Sequence, residues 1–561
     1  MTAVADSESP ESEREAGAPP RRPIPAAPQL DETTLIPMVV RPTVRQEHRP
    51  QPAPPTERRA VLAVAAVATM LSVGAYVYFS RRHLVLALKD SYSHLEIGRR
   101  VVTGPTPGIA QLGGVWLPLP HVLQMPFAWN STLYTSGLSG SLVSMGCFVA
   151  AAVLIYRTVR IFSPDRVWPG IIAASVFMAN PNVLYLQSTA MDEMPFYACT
   201  LAAVYFLVRW ADTGRPTGLL AAGLASMAAM LCRYEAWFLA CVYVLCVALI
   251  SRKLGYRGRD ARGLALIPTV FGLLSAASGW VFYNWAIFGS PLNFLTGEGS
   301  SAQQMAHRTD PEIGSITTTL HAYGIAVTAN LGMVMVAVAI AALGAFLLHE
   351  RLSARSLPIT GLLLLPAFHI ASIERGQFPI GVPQINGDLD NLRFGLAPIL
   401  PAALLIGCLA ARWPRRWPAL PVTVTAVVLI AALSTTTFAR NEVVIAAEAR
   451  NANTYLELQA QTADVLVHQT GGPILMNGYG NEKVLFPVLQ RTIYEGSKTK
   501  TTNLWLNDLK DPAENGIQVV VMRFTGPTPD DVYHALYKSP ILADRYRLSF
   551  QNGQYLVYVR K

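Results

Sequence analysis

AVLAVAAVATMLSVGAYVYFS, residues 60–80, holds no charged side chain and is long enough to cross roughly 30 Å of hydrocarbon as a helix. Arg81 and Arg82 close it on one side and Arg58 and Arg59 on the other. Ten further apolar stretches follow, near 135–156, 168–187, 194–208, 216–232, 235–250, 263–288, 322–348, 357–373, 394–411 and 418–437. The whole chain of 561 residues is 52% hydrophobic and only 14% charged, too little charge to cover a water-soluble protein of this size. The reading is a polytopic α-helical membrane protein with about eleven transmembrane helices.

The links between these stretches alternate in charge. One set carries Arg157, Arg160 and Arg166, then Arg209 and Arg215, then Arg252, Lys253, Arg257, Arg259 and Arg262. Arg351 and Arg355, followed by Arg412, Arg415 and Arg416, complete it. Short basic links stay in the cytoplasm. That rule puts the N-terminus inside and the C-terminus outside a plasma membrane. The other links, near 81–134, 188–193, 233–234, 289–321 and 374–393, then face outward. The net charge of +9 is accounted for by these topology residues beside anionic headgroups, so no nucleic-acid partner is expected. All six cysteines lie in or beside apolar stretches without metal spacing, which indicates neither a disulfide framework nor a zinc site.

Composition divides the chain into three parts. Residues 1–58 are rich in Pro, Glu, Arg and Ala without apolar periodicity, and are expected to form a disordered cytoplasmic tail. Residues 59–437 form the transmembrane part. Within it the first outer loop, 81–134, is long for a helix connection and therefore a candidate for function. Ser91–Val102 has the pattern of an amphipathic helix, with Tyr92, Leu95, Ile97 and Val101 set against His94, Glu96, Arg99 and Arg100. Leu112–Phe127, apolar but interrupted by Gly113, Gly114, Pro118 and Pro120, suits an interfacial or re-entrant element. Residues 438–561 read as an extracytoplasmic α/β domain: helical periodicity over 440–467, strands at 474–476 and 517–522, and a hairpin around Asn552-Gly553.

Ionisable residues at the outer boundary are the candidates for chemistry. Asp90 stands at the start of the amphipathic segment, where an acid also serves a helix as cap or first-turn anion. Asp192-Glu193 opens a later span, and Arg233-Tyr234-Glu235 forms another outward turn. Arg393 stands where a late span re-enters, close to Asp388 and Asp390. Charges at the membrane boundary are costly unless they pair or act. Brought together, the carboxylates supply a general base or an anchor for a divalent cation, and an arginine supplies an anion contact. Both uses stay open from the sequence.

The arrangement resembles the GT-C superfamily of membrane glycosyltransferases, near the branch of protein O-mannosyltransferases and aminoarabinose transferases. Four features carry the likeness: Asp90 soon after the first span, Asp192-Glu193 at a later helix start, Gly113-Gly114-Val115-Trp116-Leu117-Pro118 in the first loop, and Arg393-Phe394 with Pro398 at a late helix entry. Lys89 stands where many relatives carry a second acid, which argues against a double-acid centre. The resemblance implies a GT-C-like catalytic domain and transfer of a sugar from a polyprenyl-phosphate carrier to a hydroxyl. The acceptor would be a glycan, lipid or protein of the cell envelope. It further implies Asp90 as base, Glu193 or Asp192 orienting the acceptor or a cation, and Arg393 with Arg233 on the donor phosphate. Tyr92, His94, Trp116 and Glu235 would contact substrate, with Tyr92 and Trp116 alternatively serving as membrane-interface anchors. No cofactor is certain from the sequence, and a divalent cation at these acids stays open. The competing readings are a transporter or flippase for lipid-linked sugar, and a non-catalytic envelope scaffold. Against the first, the spans are nearly free of charge away from their ends. Against the second, a scaffold leaves the converging charges unexplained.

Overall fold

The computed structural model describes residues 55–561 except 298, 307, 415–417, 470, 498–503 and 527–529. The expected tail therefore lies almost wholly outside the described residues, as do Arg415 and Arg416. The first helix begins at Pro55 and runs to Ser80.

Among the described residues nine helices are long and apolar enough to cross a membrane. Two of the expected stretches, 168–187 and 216–232, yield shorter apolar helices, Trp168–Met178 and Pro216–Met230. The first is cut short at Asn180-Pro181, where the Asn180 side chain accepts from the backbone of Asn182 and Val183 and starts a new turn. The stretch expected to run unbroken over 322–348 is two helices, Ile316–Leu331 and Met333–Glu350. They part at Gly332, whose φ of 83° belongs to glycine.

The interior is packed around Phe148, Tyr156, Phe177, Tyr185, Phe196 and Trp210, all fully buried. The outermost helices are the reverse. Ala419–Ala439 buries none of its residues, and Leu420, Val428 and Leu429 stand open with Met333, Ile340 and Leu348. So much exposed large apolar surface is stable only against lipid. This is a multi-pass membrane protein.

The two ends of the bundle differ in charge. At one end the basic links touch acids and one another: Arg160 pairs with Glu57 at 2.7 Å, Arg355 with Asp212 at 3.2 Å, and Arg412 with Glu350. Arg166 donates to the Trp413 carbonyl at 2.8 Å. Asp192, Arg233 and Arg393 sit at the opposite ends of the spans that lead to these links.

Over that second end lies a layer made from the first loop and the C-terminal region. The loop folds as Lys89–Val102, a 3-10 turn Ile109–Leu112 and a helix Leu119–Ala128. The C-terminal region supplies a five-stranded sheet, β1 Ile474–Leu475, β2 Thr492–Ile493, β3 Val519–Arg523, β4 Tyr546–Gln551 and β5 Tyr555–Arg560, in the order β2-β1-β3-β5-β4. β1 runs parallel to both neighbours, whereas β5 is antiparallel to β3 and β4. The β4–β5 hairpin turns at the expected Asn552-Gly553. Tyr134 ties loop to sheet region, stacking on Phe486 at 4.3 Å and donating its hydroxyl to the Phe486 carbonyl at 3.0 Å. This cover changes the loop helix. Its polar side is buried, with His94 at 0%, Glu96 at 4% and Arg99 at 2% exposure.

Candidate active site

Six charged residues from four separate segments meet at the covered end of the bundle. Arg393 donates through Nη2 to Asp90 Oδ2 at 2.6 Å, and its Nε lies 3.2 Å from Glu193 Oε1. Arg233 donates to Asp192 at 2.6 Å, to the same Glu193 oxygen at 3.0 Å, and to Glu235 through Nε and Nη2 at 2.9 and 2.7 Å. Glu193 therefore bridges the two arginines. The Phe394 ring lies 5.7 Å from each guanidinium carbon. His369 stands 3.4 Å from Glu235 and hydrogen-bonds Tyr323 behind it.

Local folding explains how each group reaches this point. The Lys89–Val102 helix is preceded by Leu88 as its cap, with no side-chain capping bond. Asp90 is therefore free of the capping role and turns to Arg393. Asp192 precedes the helix Glu193–Thr213 and likewise makes no side-chain cap. Arg393 is presented by a 3-10 turn, Leu392–Leu396, that Asn391 enters at a φ of 53°, a conformation asparagine tolerates. Glu448 fixes that entry by accepting from the backbone of Asn391 at 2.9 Å and Leu392 at 3.0 Å. Gly395 admits the neighbouring helix, since a Cβ there would lie 2.5 Å from the Ala326 carbonyl carbon.

Asp90, Asp192, Arg233, Glu235 and Arg393 form one wall of a cavity of about 420 Å³, lined also by Trp116, Tyr234, Arg308 and Phe378, with Glu193 outside the lining. Asp90 has a side chain 29% exposed, and its Oδ1 bonds to no described residue. Burial acts to raise its pKa, but the Arg393 guanidinium, with His94 and Lys89 behind it, outweighs burial and holds the carboxyl below its ordinary value.

Several expectations change on this geometry. Asp388 and Asp390 do not hold Arg393; Asp390 pairs with Arg308 at 3.0 Å. Arg233 makes four hydrogen bonds to three carboxylates. Tyr92 packs its ring on Phe486 at 5.0 Å and His94 bonds His121 at 2.8 Å. Neither lines the cavity: Tyr92 is covered by Phe486 of the C-terminal region and His94 by His121 and Trp116 of the first loop itself. Trp116 and Glu235 do line it. The divalent cation left open from the sequence does not fit. Each carboxylate already faces a guanidinium, and among the described residues no group of three or more His, Cys, Asp or Glu could hold an ion.

Glu448, His369 and Arg308 belong to this surroundings and were not singled out for it from the sequence. Only the acid-rich turn near Arg308 offered a local signal. Glu448 lies in the stretch 440–467, from which only helical periodicity was read.

A family model described as dolichyl-phosphate-mannose-protein mannosyltransferase matches residues 132–280. The crystal structure of ArnT from Cupriavidus metallidurans bound to undecaprenyl phosphate superposes with a TM-score of 0.53 at 14% identity, over 90% of this chain and 98% of that one. Its apo state gives 0.50 at 13% identity, over 87% and 97%. The chain has the GT-C fold. The superfamily resemblance drawn from Asp90, Asp192-Glu193 and Arg393-Phe394 thus holds at the level of the fold, and the GT-C fold here spans the membrane helices and the covering layer alike. No curated protein sequence matches the chain.

Proposed function

We propose that this chain is a glycosyltransferase that moves a sugar from a polyprenyl-phosphate carrier to an acceptor hydroxyl, at the extracytoplasmic face of the plasma membrane. The observation that carries the reading is the Asp90–Arg393 ion pair on the cavity wall, backed by Glu193. The GT-C fold and the undecaprenyl phosphate bound by the ArnT neighbour give the donor class. Residues 59–437 would be the catalytic membrane domain, and 438–561 its extracytoplasmic cover.

In this reaction the bond between the anomeric carbon and the carrier phosphate oxygen breaks, and one to the acceptor oxygen forms. The acceptor proton passes to Asp90 Oδ1, the carboxylate oxygen that no described residue occupies. The phosphate leaves with the bonding electron pair, and its charge meets Arg393, whose Nη1 bonds to no described residue. A depressed base pKa is tolerable because a phosphate is a good leaving group and the proton moves late. Arg233 keeps Asp192, Glu193 and Glu235 in register, and Glu193 spaces the two cations apart.

The test is transfer from a radiolabelled polyprenyl-phosphate sugar by purified protein in lipid nanodiscs, beside direct binding of undecaprenyl phosphate. Binding that is lost in Arg393→Ala supports the reading. Undecaprenyl phosphate binding equally well to wild type and Arg393→Ala would remove the cluster from the donor site.

A further inference from the structure

A second cavity, of about 480 Å³, adjoins the first and shares Val115, Trp116 and Gly299 with it. Its size falls in the ~300–1,000 Å³ range of small-molecule sites. One wall is the first loop. The other comes from the sheet layer, where Tyr479 and Glu482 between β1 and β2, and Tyr494 just past β2, line the cavity.

Glu96 is the informative residue. It is 4% exposed, lines this cavity, and its Oε1 has no hydrogen-bond partner among the described residues. A buried carboxyl left without partners is expensive, so a bound group that satisfies it is the natural explanation. Burial, reinforced by Glu482, pushes its pKa well above the carboxylate range. That shift favours the protonated form, which can both donate and accept.

The charge of the walls selects the ligand. Among the described lining residues Glu96, Glu482 and Glu495 outnumber the one cation, Arg100, while Lys89 outside the lining pairs with Glu482 at 3.5 Å. Arg100 donates through Nε to the Gln111 carbonyl at 2.5 Å and lies 5.6 Å from the Tyr494 ring centre. An anionic headgroup would meet Glu482 and Glu495 beside a guanidinium already partly committed. Hydroxyls would find donors and acceptors, and sugar C–H faces would find Trp116 and the part-exposed Tyr479.

We propose that this second cavity is the acceptor subsite and takes an uncharged, hydroxyl-rich glycan whose end passes Trp116 to reach Asp90. The assignment rests on the glycosyl-transfer reading and deepens it by naming the acceptor class.

Full-length protein in nanodiscs is titrated with a pool of linear manno-, gluco- and arabino-tetraoses, and with the same tetraoses carrying a terminal phosphate. Undecaprenyl phosphate binding is measured in parallel. The neutral pool should bind saturably and better than the phosphorylated pool. Glu96→Leu should weaken neutral binding about tenfold, as should Tyr479→Ala, a less buried site that guards against misfolding. Both variants should keep undecaprenyl phosphate affinity within about twofold. Absent or variant-insensitive tetraose binding, with undecaprenyl phosphate binding intact, would overturn the subsite, as would preference for the phosphorylated pool. Saturable, Glu96-dependent tetraose binding by a wild-type protein that ignores undecaprenyl phosphate would leave this subsite standing and remove the donor assignment.

Discussion

Asp90 is held by two opposed influences, burial that favours its neutral form and the Arg393 guanidinium 2.6 Å away that favours the charged one, and the second wins. Asn at this position keeps the shape but cannot take a proton. Asp90→Asn is expected to lower transfer about 10²–10⁴-fold, the usual weight of a general base, with undecaprenyl phosphate binding retained. Activity within a few-fold of wild type would return Asp90 to a purely structural role. The pH profile gives a second check. A carboxylate held low stays ionised well into acid, so the acid limb of the wild-type rate should fall below the ordinary aspartate value of about 3.9. Arg393→Lys keeps the charge but loses the planar fork. Burial should then count for more, and the limb should move upward; an unmoved limb in a variant that still turns over would detach Asp90 from the rate. The same ion pair adds stability above the unfolded pKa of Asp90, and that share is lost as pH falls through its folded value. The residues of this cluster were legible because acids and arginines at membrane boundaries stand out against apolar sequence. Their pairing was not. Asp388 and Asp390 are near Arg393 in sequence, yet its partners come from positions 90 and 193, a matter of tertiary packing that periodicity does not encode.

At the scale of elements, the Lys89–Val102 helix shows what covering does to an amphipathic pattern. Tyr92, Leu95 and Ile97 gave the helix, and it forms. Burial of the polar face was not legible, because periodicity reports a difference between faces, not what lies over each. β2 passed unseen for a related reason: two residues, Thr492-Ile493, are too short to alternate. The covered face has a measurable consequence. His94 and His121 join this helix to Leu119–Ala128 at 2.8 Å, both fully buried. Burial depresses the His94 pKa from its ordinary 6.5 to about 4 and pushes His121 down as well. The unfolded chain therefore binds more protons than the folded one between those values. Stability rises with pH through that window and is fully present above about 6.5. The shift at His94 corresponds to an upper bound of roughly 3 kcal/mol. Thermal unfolding in nanodiscs should shift to lower temperature as pH is taken from 6.5 to 4.5, and His94→Gln should flatten that fall. An equally steep fall in the variant would place the acid sensitivity elsewhere.

For the whole molecule the decisive feature is polarity along the bundle, one end basic and the other carrying the carboxylate–arginine cluster under the sheet layer. The fold was readable to this depth because hydrocarbon admits few backbone solutions: long uncharged runs must be helices, and their links must carry the charge. Chain breaks such as Gly332 were less readable, since one glycine in an apolar run is also common inside a span. The alternation of basic links makes a claim about sidedness that the helices alone do not carry. If the rule holds, the cluster and the sheet layer face away from the cytoplasm, where a lipid-linked sugar can be met without nucleotides. Single cysteines introduced into a variant lacking the native six would decide it. Arg259→Cys sits in the densest basic link and Glu514→Cys in the C-terminal region, both exposed. Arg259 avoids nearby Gly255, whose φ of 88° would strain a cysteine. In intact cells a membrane-impermeant maleimide should label position 514 and spare 259, and both should react once the membrane is opened with detergent. The reverse pattern would invert the molecule and place the cluster in the cytoplasm. There the donor assignment would fail, because the positive-inside rule, the sheet layer as extracytoplasmic cover and the outer-face chemistry stand or fall together.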